Sequence, residues 1–276
     1  MELSIGLDYL KKTPDCMLRT TEQAAKICKE GGISYVDYLS PVTEDNWEEL
    51  AHKEAEMFSR VGIRVHQSHA PFNRYSYVEE ELFQTYMLRS VEAARILGAT
   101  YLVIHGDEYN TFPRDTQDAH AWSKKFFSPI ADLAAKKGIT LAFENVFEDD
   151  NRGRKRYTSS VEDLIALTDS LNCVCCWDYG HGRVQYKDKD LLALKQIGSR
   201  LACTHVHDSY YGSDLHVPPF FGQIDWKSHM EHLKEINYSG MLSFEPVYGQ
   251  MPDELVTDYL RFMKKIGDVL KNYDTI

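Results

Sequence analysis

The chain has 276 residues, 43% hydrophobic and 26% charged, a composition that suits a folded protein with a sizeable core. Lys and Arg number 31 against 42 Asp and Glu, a formal charge of −11, which argues against general affinity for a nucleic-acid backbone. No apolar run approaches the roughly 18–20 residues of a membrane helix, and the opening MELSIGLDYLKK lacks a basic region followed by an apolar stretch. A membrane partner and a signal peptide are therefore not expected, and a cytoplasmic location is.

Taken in chain order, short runs rich in β-branched and aromatic residues recur, each followed by a longer segment of helical period. The strand candidates are Leu3–Tyr9, Tyr35–Ser40, Arg64–Ala70, Tyr101–His105, Thr140–Val146, Val174–Asp178, Leu201–His207 and Met241–Pro246. Thr20-Thr21-Glu22-Gln23 reads as a capping box, and Gly31-Gly32 closes that helix. Gly98 and Gly138 each end a long helix just before a strand. Ser159 and Ser160 precede Glu162 and Asp163 as a helix start, and a last helix runs from about Pro252 to the C-terminus.

Strands alternating with helices imply parallel pairing through right-handed crossovers. Eight units without a Gly-rich phosphate fingerprint favour a closed (β/α)8 TIM barrel over an open doubly wound sheet. No linker or low-complexity tract interrupts the chain, so residues 1–276 read as one α/β domain. The segments after strands four, five and seven are long (Gly106–Ala119, Phe147–Thr158, Asp208–Gln223), as expected when function occupies the C-terminal mouth of a barrel. The cysteines Cys16, Cys28, Cys173, Cys175, Cys176 and Cys203 read as reduced thiols, mostly small core residues, and not as a disulfide framework.

Metal-ligating side chains fall at the ends of these strands. His69 ends strand three, His105 strand four, Glu144 strand five and Asp178 strand six, with His181 just after; strand seven ends His205-Val206-His207-Asp208, its loop carries Asp214 and His216, and Glu245 ends strand eight. In a closed barrel these ends meet at one mouth. Carboxylates with an imidazole suit a divalent ion such as Mn²⁺, Co²⁺, Mg²⁺ or Zn²⁺, and burying that many carboxylates without a cation or hydrogen-bonded partners is costly. By contrast, His52, His120, His229 and His232 lie in helical segments and read as solvated or packed. Asp37, at the end of strand two, reads as a structural hydrogen-bonding group more than a substrate contact.

At these residues the sequence resembles the xylose isomerase-like sugar isomerase/epimerase superfamily, shared with the family 2 AP endonucleases. The resemblance covers nearly the whole chain and rests on Phe143-Glu144-Asn145, Asp178-Tyr179-Gly180-His181, His205-Val206-His207-Asp208-Ser209, Asp214-Leu215-His216-Val217-Pro218-Pro219-Phe220, Gly222-Gln223-Ile224-Asp225-Trp226 and Phe244-Glu245-Pro246. It implies a metal held by Glu144, Asp178, His205 and Glu245, with His181 contacting substrate. It also implies a small sugar or sugar phosphate as substrate, with Glu144 and Glu245 moving a proton through an enediolate that the metal stabilises. Where ketose 3-epimerases carry an Arg six residues after the strand-seven His, this chain has Tyr211, so their substrate recognition does not carry over.

His69, His105, His181 and His216 are further substrate-binding candidates, and His181, Asp214 and His216 are candidates for a second metal. The nine zinc ligands of the AP endonucleases have counterparts at His69, His105, Glu144, Asp178, His181, His205, Asp214, His216 and Glu245, so a multinuclear-zinc phosphodiesterase is the alternative reading. Against it, the Thr-Ala-Gly-Gln-Gly stretch of those enzymes is absent, and Glu148, Asp149 and Asp150 would repel DNA. A non-catalytic sugar-binding barrel is a third reading, which the intact carboxylate pair weakens. Arg74 and the run Arg152, Arg154, Lys155, Arg156 read as a solvated face, with a sugar phosphate as the functional alternative. The sequence leaves the sugar, the metal in use and homo-oligomerisation open.

Overall fold

The computed structural model describes residues 1–11, 19–72, 79–106, 116–148, 156–210, 212–245, 247 and 251–273. Eight parallel strands close into a barrel: β1 (Leu3–Gly6), β2 (Tyr35–Leu39), β3 (Arg64–His69), β4 (Tyr101–His105), β5 (Thr140–Glu144), β6 (Val174–Asp178), β7 (Leu201–Val206) and β10 (Leu242–Phe244). Their order around the barrel follows the sequence, with β10 closing on β1. Around them pack α1 (Leu7–Leu10), α2 (Thr21–Glu30), α3 (Trp47–Val61), α4 (Glu80–Leu97), α5 (Thr116–Lys137), α6 (Val161–Leu171), α7 (Tyr179–Tyr186), α8 (Asp190–Ile197), α9 (Trp226–Glu235) and α10 (Asp253–Lys271). Among the described residues no helix is long and apolar enough to cross a membrane.

Strand alternation sorts the side chains into two populations. Ile5, Leu102, Ile104, Leu141, Phe143, Cys175, Trp177, Leu242 and Phe244 join the apolar layer between sheet and helices. Their neighbours turn into the bore, where Val103, Ala142, Cys176 and Cys203 form a small buried cluster one alternation below the strand ends that carry His105, Glu144, Asp178 and His205. Apolar filling below and polar groups above leave one end of the barrel for chemistry.

The local signals hold where the backbone demands them. Thr20 Oγ1 accepts from Gln23 N at 3.2 Å while Thr20 N donates to Gln23 Oε1 at 2.8 Å, closing the capping box. Gly98 and Gly138 adopt φ of 74° and 73° at the helix ends, a left-handed turn that a Cβ would strain. Ser160 caps α6 by accepting from Asp163 N. The first strand is shorter than expected: Leu7–Leu10 turns into α1, and Asp8 Oδ2 accepts from Leu39 N at 2.8 Å. The long segment after β7 is not plain loop. It contains an antiparallel hairpin, β8 (Asp208–Tyr210) with β9 (Ser213–Val217), which projects Asp214 and His216 back over the mouth.

Candidate metal centre

Glu144 sits at the middle of the mouth, with its side chain 1% exposed. Its Oε2 lies 3.2 Å from both His69 Nε2 and His105 Nε2, and its Oε1 lies 3.2 Å from His181 Nδ1 and His205 Nδ1. His205 Nδ1 also lies 3.6 Å from Glu245 Oε1 and 3.8 Å from Asp178 Oδ2. Glu144, Asp178, His205 and Glu245, named together from the sequence, thus meet around one nitrogen. A second focus lies beside it: Asp214 Oδ2 is 3.1 Å from His216 Nε2 and 3.5 Å from His181 Nε2.

The hydrogen bonds fix which ring nitrogen faces which oxygen. His69 Nδ1 donates to the Ala70 carbonyl at 2.7 Å, His216 Nδ1 to the Glu245 carbonyl at 2.7 Å, and His181 Nδ1 to the Asn145 carbonyl at 2.9 Å. His205 Nε2 donates to Asp37 Oδ2 at 3.0 Å. Each of these four rings has one nitrogen committed to an acceptor, while the other points at carboxylate oxygen. A neutral imidazole would set lone pair against lone pair there. Only a second ring proton or a shared cation relieves that clash.

Electrostatics describes the protonated alternative. Burial alone would raise the Glu144 carboxyl, but the charges of His205 and His105 outweigh it and hold the group well below the usual carboxylate range. Burial likewise opposes ionisation of Asp178 and is overcome by His181 and His207. For the imidazoles burial disfavours the charge; Glu245 and Glu144 nonetheless lift His205 well above its ordinary value, and Asp178 and Asp214 do the same for His181. His216 is raised to about 9, where hydrogen bonding to Asp214 overcomes burial.

The same arrangement fits a cation. His205 Nδ1 is buried and makes no hydrogen bond. Two ligands each about 2.1 Å from a common divalent ion stand ~3.0–3.4 Å apart; Glu144 Oε1, at 3.2 Å, lies in that range, and Glu245 Oε1 and Asp178 Oδ2, at 3.6 and 3.8 Å, lie just beyond it. Triads with every ligand atom within 4.8 Å of the others are His69/His105/Glu144, Glu144/Asp178/His181, Asp37/His205/Glu245, Asp178/His207/Glu245 and His207/Asp214/His216. An N/O donor set without thiolate suits Mn²⁺, Co²⁺ or Zn²⁺.

Residues 22–266 match the family described as xylose isomerase-like TIM barrel. The chain belongs to this family. Among relatives of the xylose isomerase-like barrel, the uncharacterized protein y4fM of Sinorhizobium fredii is 26% identical over 210 residues, 75% of this chain and 63% of that protein, so the match spans under two thirds of the relative's length. D-psicose 3-epimerase from Clostridium cellulolyticum H10, solved with D-tagatose, superposes with a TM-score of 0.78 at 12% identity, covering 98% of this chain and 99% of the other. The IOLI protein, solved with a binding zinc atom, gives 0.78 at 18% identity and 99% coverage of both chains. At such identities the structural likeness establishes the shared fold.

Within this xylose isomerase-like barrel, all nine residues singled out from the sequence gather at the mouth. Asp214 also hydrogen-bonds His216. His207 is an addition: alternation along β7 places it on the same side as His205, its Nε2 lies 3.0 Å from Asp178 Oδ2, and its ring stacks on His216 at 3.8 Å. Tyr9, whose hydroxyl donates to Glu245 Oε2 at 3.3 Å, carried no signal, because it stands beyond β1 in the unexpected turn.

Trp177 neither fills the bore nor faces a ligand; it points outward, stacked on Tyr186. Phe220 and Phe221 are exposed and pair with Tyr273 and Phe262. His52 is exposed, His120 pairs with the Tyr157 hydroxyl, and His229 and His232 are buried on α9, so none of the four joins the centre. Arg74, Asp149, Asp150, Arg152, Arg154, Lys155 and Tyr211 lie outside the described residues; Arg156 lies over the Phe147 ring.

Proposed function

We propose that this protein is a metal-dependent isomerase or epimerase of a sugar or sugar phosphate. The observation that carries the reading is the grouping of three carboxylates from three strands, Glu144, Asp178 and Glu245, around the unpartnered Nδ1 of His205. Epimerisation beside a carbonyl needs one group to take a proton from carbon and another to return it. Glu144 and Glu245 fill those roles, with Asp178 and His205 chiefly holding the ion. When bound, the divalent ion polarises the substrate carbonyl and offsets the charge that develops during proton removal.

The two glutamates are unequal partners. Glu144 is hemmed in by four imidazoles, whereas Glu245 is 12% exposed and accepts one hydrogen bond from Tyr9. Glu245 is therefore the group better able to take up a proton from substrate. His69, His105, His181 and His216 line the rest of the mouth and orient sugar hydroxyls. Glu245→Gln should abolish exchange of solvent deuterium into the substrate carbon, measured by NMR across a ketose and aldose panel, while the melting temperature is kept. Exchange retained by that variant refutes the role.

A second reading, a multinuclear-zinc phosphodiesterase, is favoured by one observation: Glu144 faces His69 and His105 with one oxygen and His181 and His205 with the other. Cleavage of an abasic duplex by protein holding three ions per chain, without sugar exchange, would select it.

A further inference from the structure

Asp37 reaches His205 across the barrel. β2 and β7 are not neighbours, since β1 and β10 stand between them, yet Asp37 Oδ2 accepts from His205 Nε2 at 3.0 Å and from Gln67 Nε2 at 2.8 Å. All three side chains are buried, at 3%, 0% and 0% exposure. Two irregularities in parallel pairing accompany the contact. Along β2 and β3 the register runs Val36 with Val65, then Asp37 with Gln67, leaving His66 as an extra residue. Along β6 and β7 it runs Cys175 with Leu201, then Cys176 with Cys203, leaving Ala202 extra and bringing His205 opposite Asp178. A bulge in parallel strands is uncommon and re-aims the side chains that follow it.

We propose that Asp37, held by Gln67, is the positioning residue of the metal centre. By accepting the Nε2 proton it fixes the tautomer of His205, so that the free electron pair at Nδ1 points at Glu144, Asp178 and Glu245. A carboxylate behind a ligating imidazole orients the ring and raises its basicity. Gln67 keeps the carboxylate from swinging toward the ion. Asp37 thus acts through His205 and not as a ligand. This rests on the reading that His205 holds a cation.

The test is a Mn²⁺ titration of the chelator-stripped, full-length protein by calorimetry, for wild type, Asp37→Asn, Asp37→Leu and Gln67→Leu, alongside metal-free melting temperatures. Asp37→Leu should weaken Mn²⁺ by about 10–100-fold. Asp37→Asn, which keeps an oxygen to accept the proton, should weaken it less, and Gln67→Leu should be weakened too. The order of affinities should not follow the order of metal-free melting temperatures. Wild-type affinity in Asp37→Leu overturns the proposal; if that variant does not fold, wild-type affinity in both Asp37→Asn and Gln67→Leu overturns it. Wild-type protein that binds no cation overturns both this inference and the proposed function. A graded loss of affinity in a protein that exchanges no sugar proton supports the positioning role and removes only the isomerase reading.

Discussion

Gly180 lies in the first turn of α7, against the Cε1 corner of the His207 ring. A Cβ there would sit 2.7 Å from His207 Nε2 and nearer still to Cε1 and Nδ1. Carbon atoms in contact stay about 3.5–4.0 Å apart, so in Gly180→Ala the ring must retreat by roughly 2 Å. Its freedom to move is limited, because one face is stacked on His216 at 3.8 Å with the planes only 12° apart. Moving the ring breaks its contact with Asp178 Oδ2, a hydrogen bond to an ionised group worth about 1.5–3 kcal/mol. Overpacking adds about 1–3 kcal/mol.

Together these place the loss at about 2.5–6 kcal/mol, on the order of 5–20 °C in melting temperature at about 2–4 °C per kcal/mol. Melting followed by circular dichroism measures it. The decisive comparison is a double-mutant cycle: with the ring already removed by His207→Ala, adding Gly180→Ala should cost under about 1 kcal/mol, a strongly non-additive result. Gly180→Ala melting within about a degree of wild type would refute the reasoning. So would an equal cost in both backgrounds, since that would locate the strain away from His207.

Asp208 is fully buried and accepts from Ser209 N and Ile224 N through one oxygen and from Phe220 N and Trp226 Nε1 through the other. Asp208→Ala leaves those donors unpaired and should cost about 3–5 kcal/mol in urea unfolding; an unchanged midpoint would contradict this. The raised imidazoles set a pH dependence whose sign is fixed. In metal-free protein the contribution of His216 is complete below its ordinary 6.5 and is lost as pH rises toward about 9. His205 and His181, also raised, act in the same direction. The metal-free melting temperature should therefore fall between pH 6.5 and 9, while cation affinity climbs over the same span as ring protons leave; a flat or rising melting curve would contradict it. Because the described cysteines are free, dithiothreitol should leave the melting temperature unchanged; a drop of several degrees would reveal a disulfide.

The sequence carried the barrel well because each unit announces itself locally. Tyr101–His105 and Val174–Asp178 are bounded as expected, since an apolar run between a helix-ending signal and a polar residue leaves little choice. Residues at strand ends were legible for the same reason: closure brings them to one mouth whatever the loops do. What escaped is set by contacts distant in sequence. Leu7–Leu10 looks like more strand until Asp8 meets the backbone of Leu39, and the β8–β9 hairpin has no strong period of its own. His207 stood inside a motif quoted for its neighbours. Asp37 was visible as a carboxylate in strand two, but it stands at the middle of β2 and its role depends on two bulges that no local pattern betrays. The direction of Trp177 follows from alternation once Asp178 is taken as inward-facing.

If the protein works as proposed, Glu144, Asp178, His205 and Glu245 share one divalent ion. Anomalous scattering from crystals loaded with Mn²⁺ or Zn²⁺ tests it most directly. The account predicts a peak about 2.0–2.3 Å from His205 Nδ1 and from an oxygen of each of the three carboxylates, with His205 Nε2 still on Asp37. Loaded crystals with no peak there, and a second proton on the His205 ring in place of the ion, would contradict it.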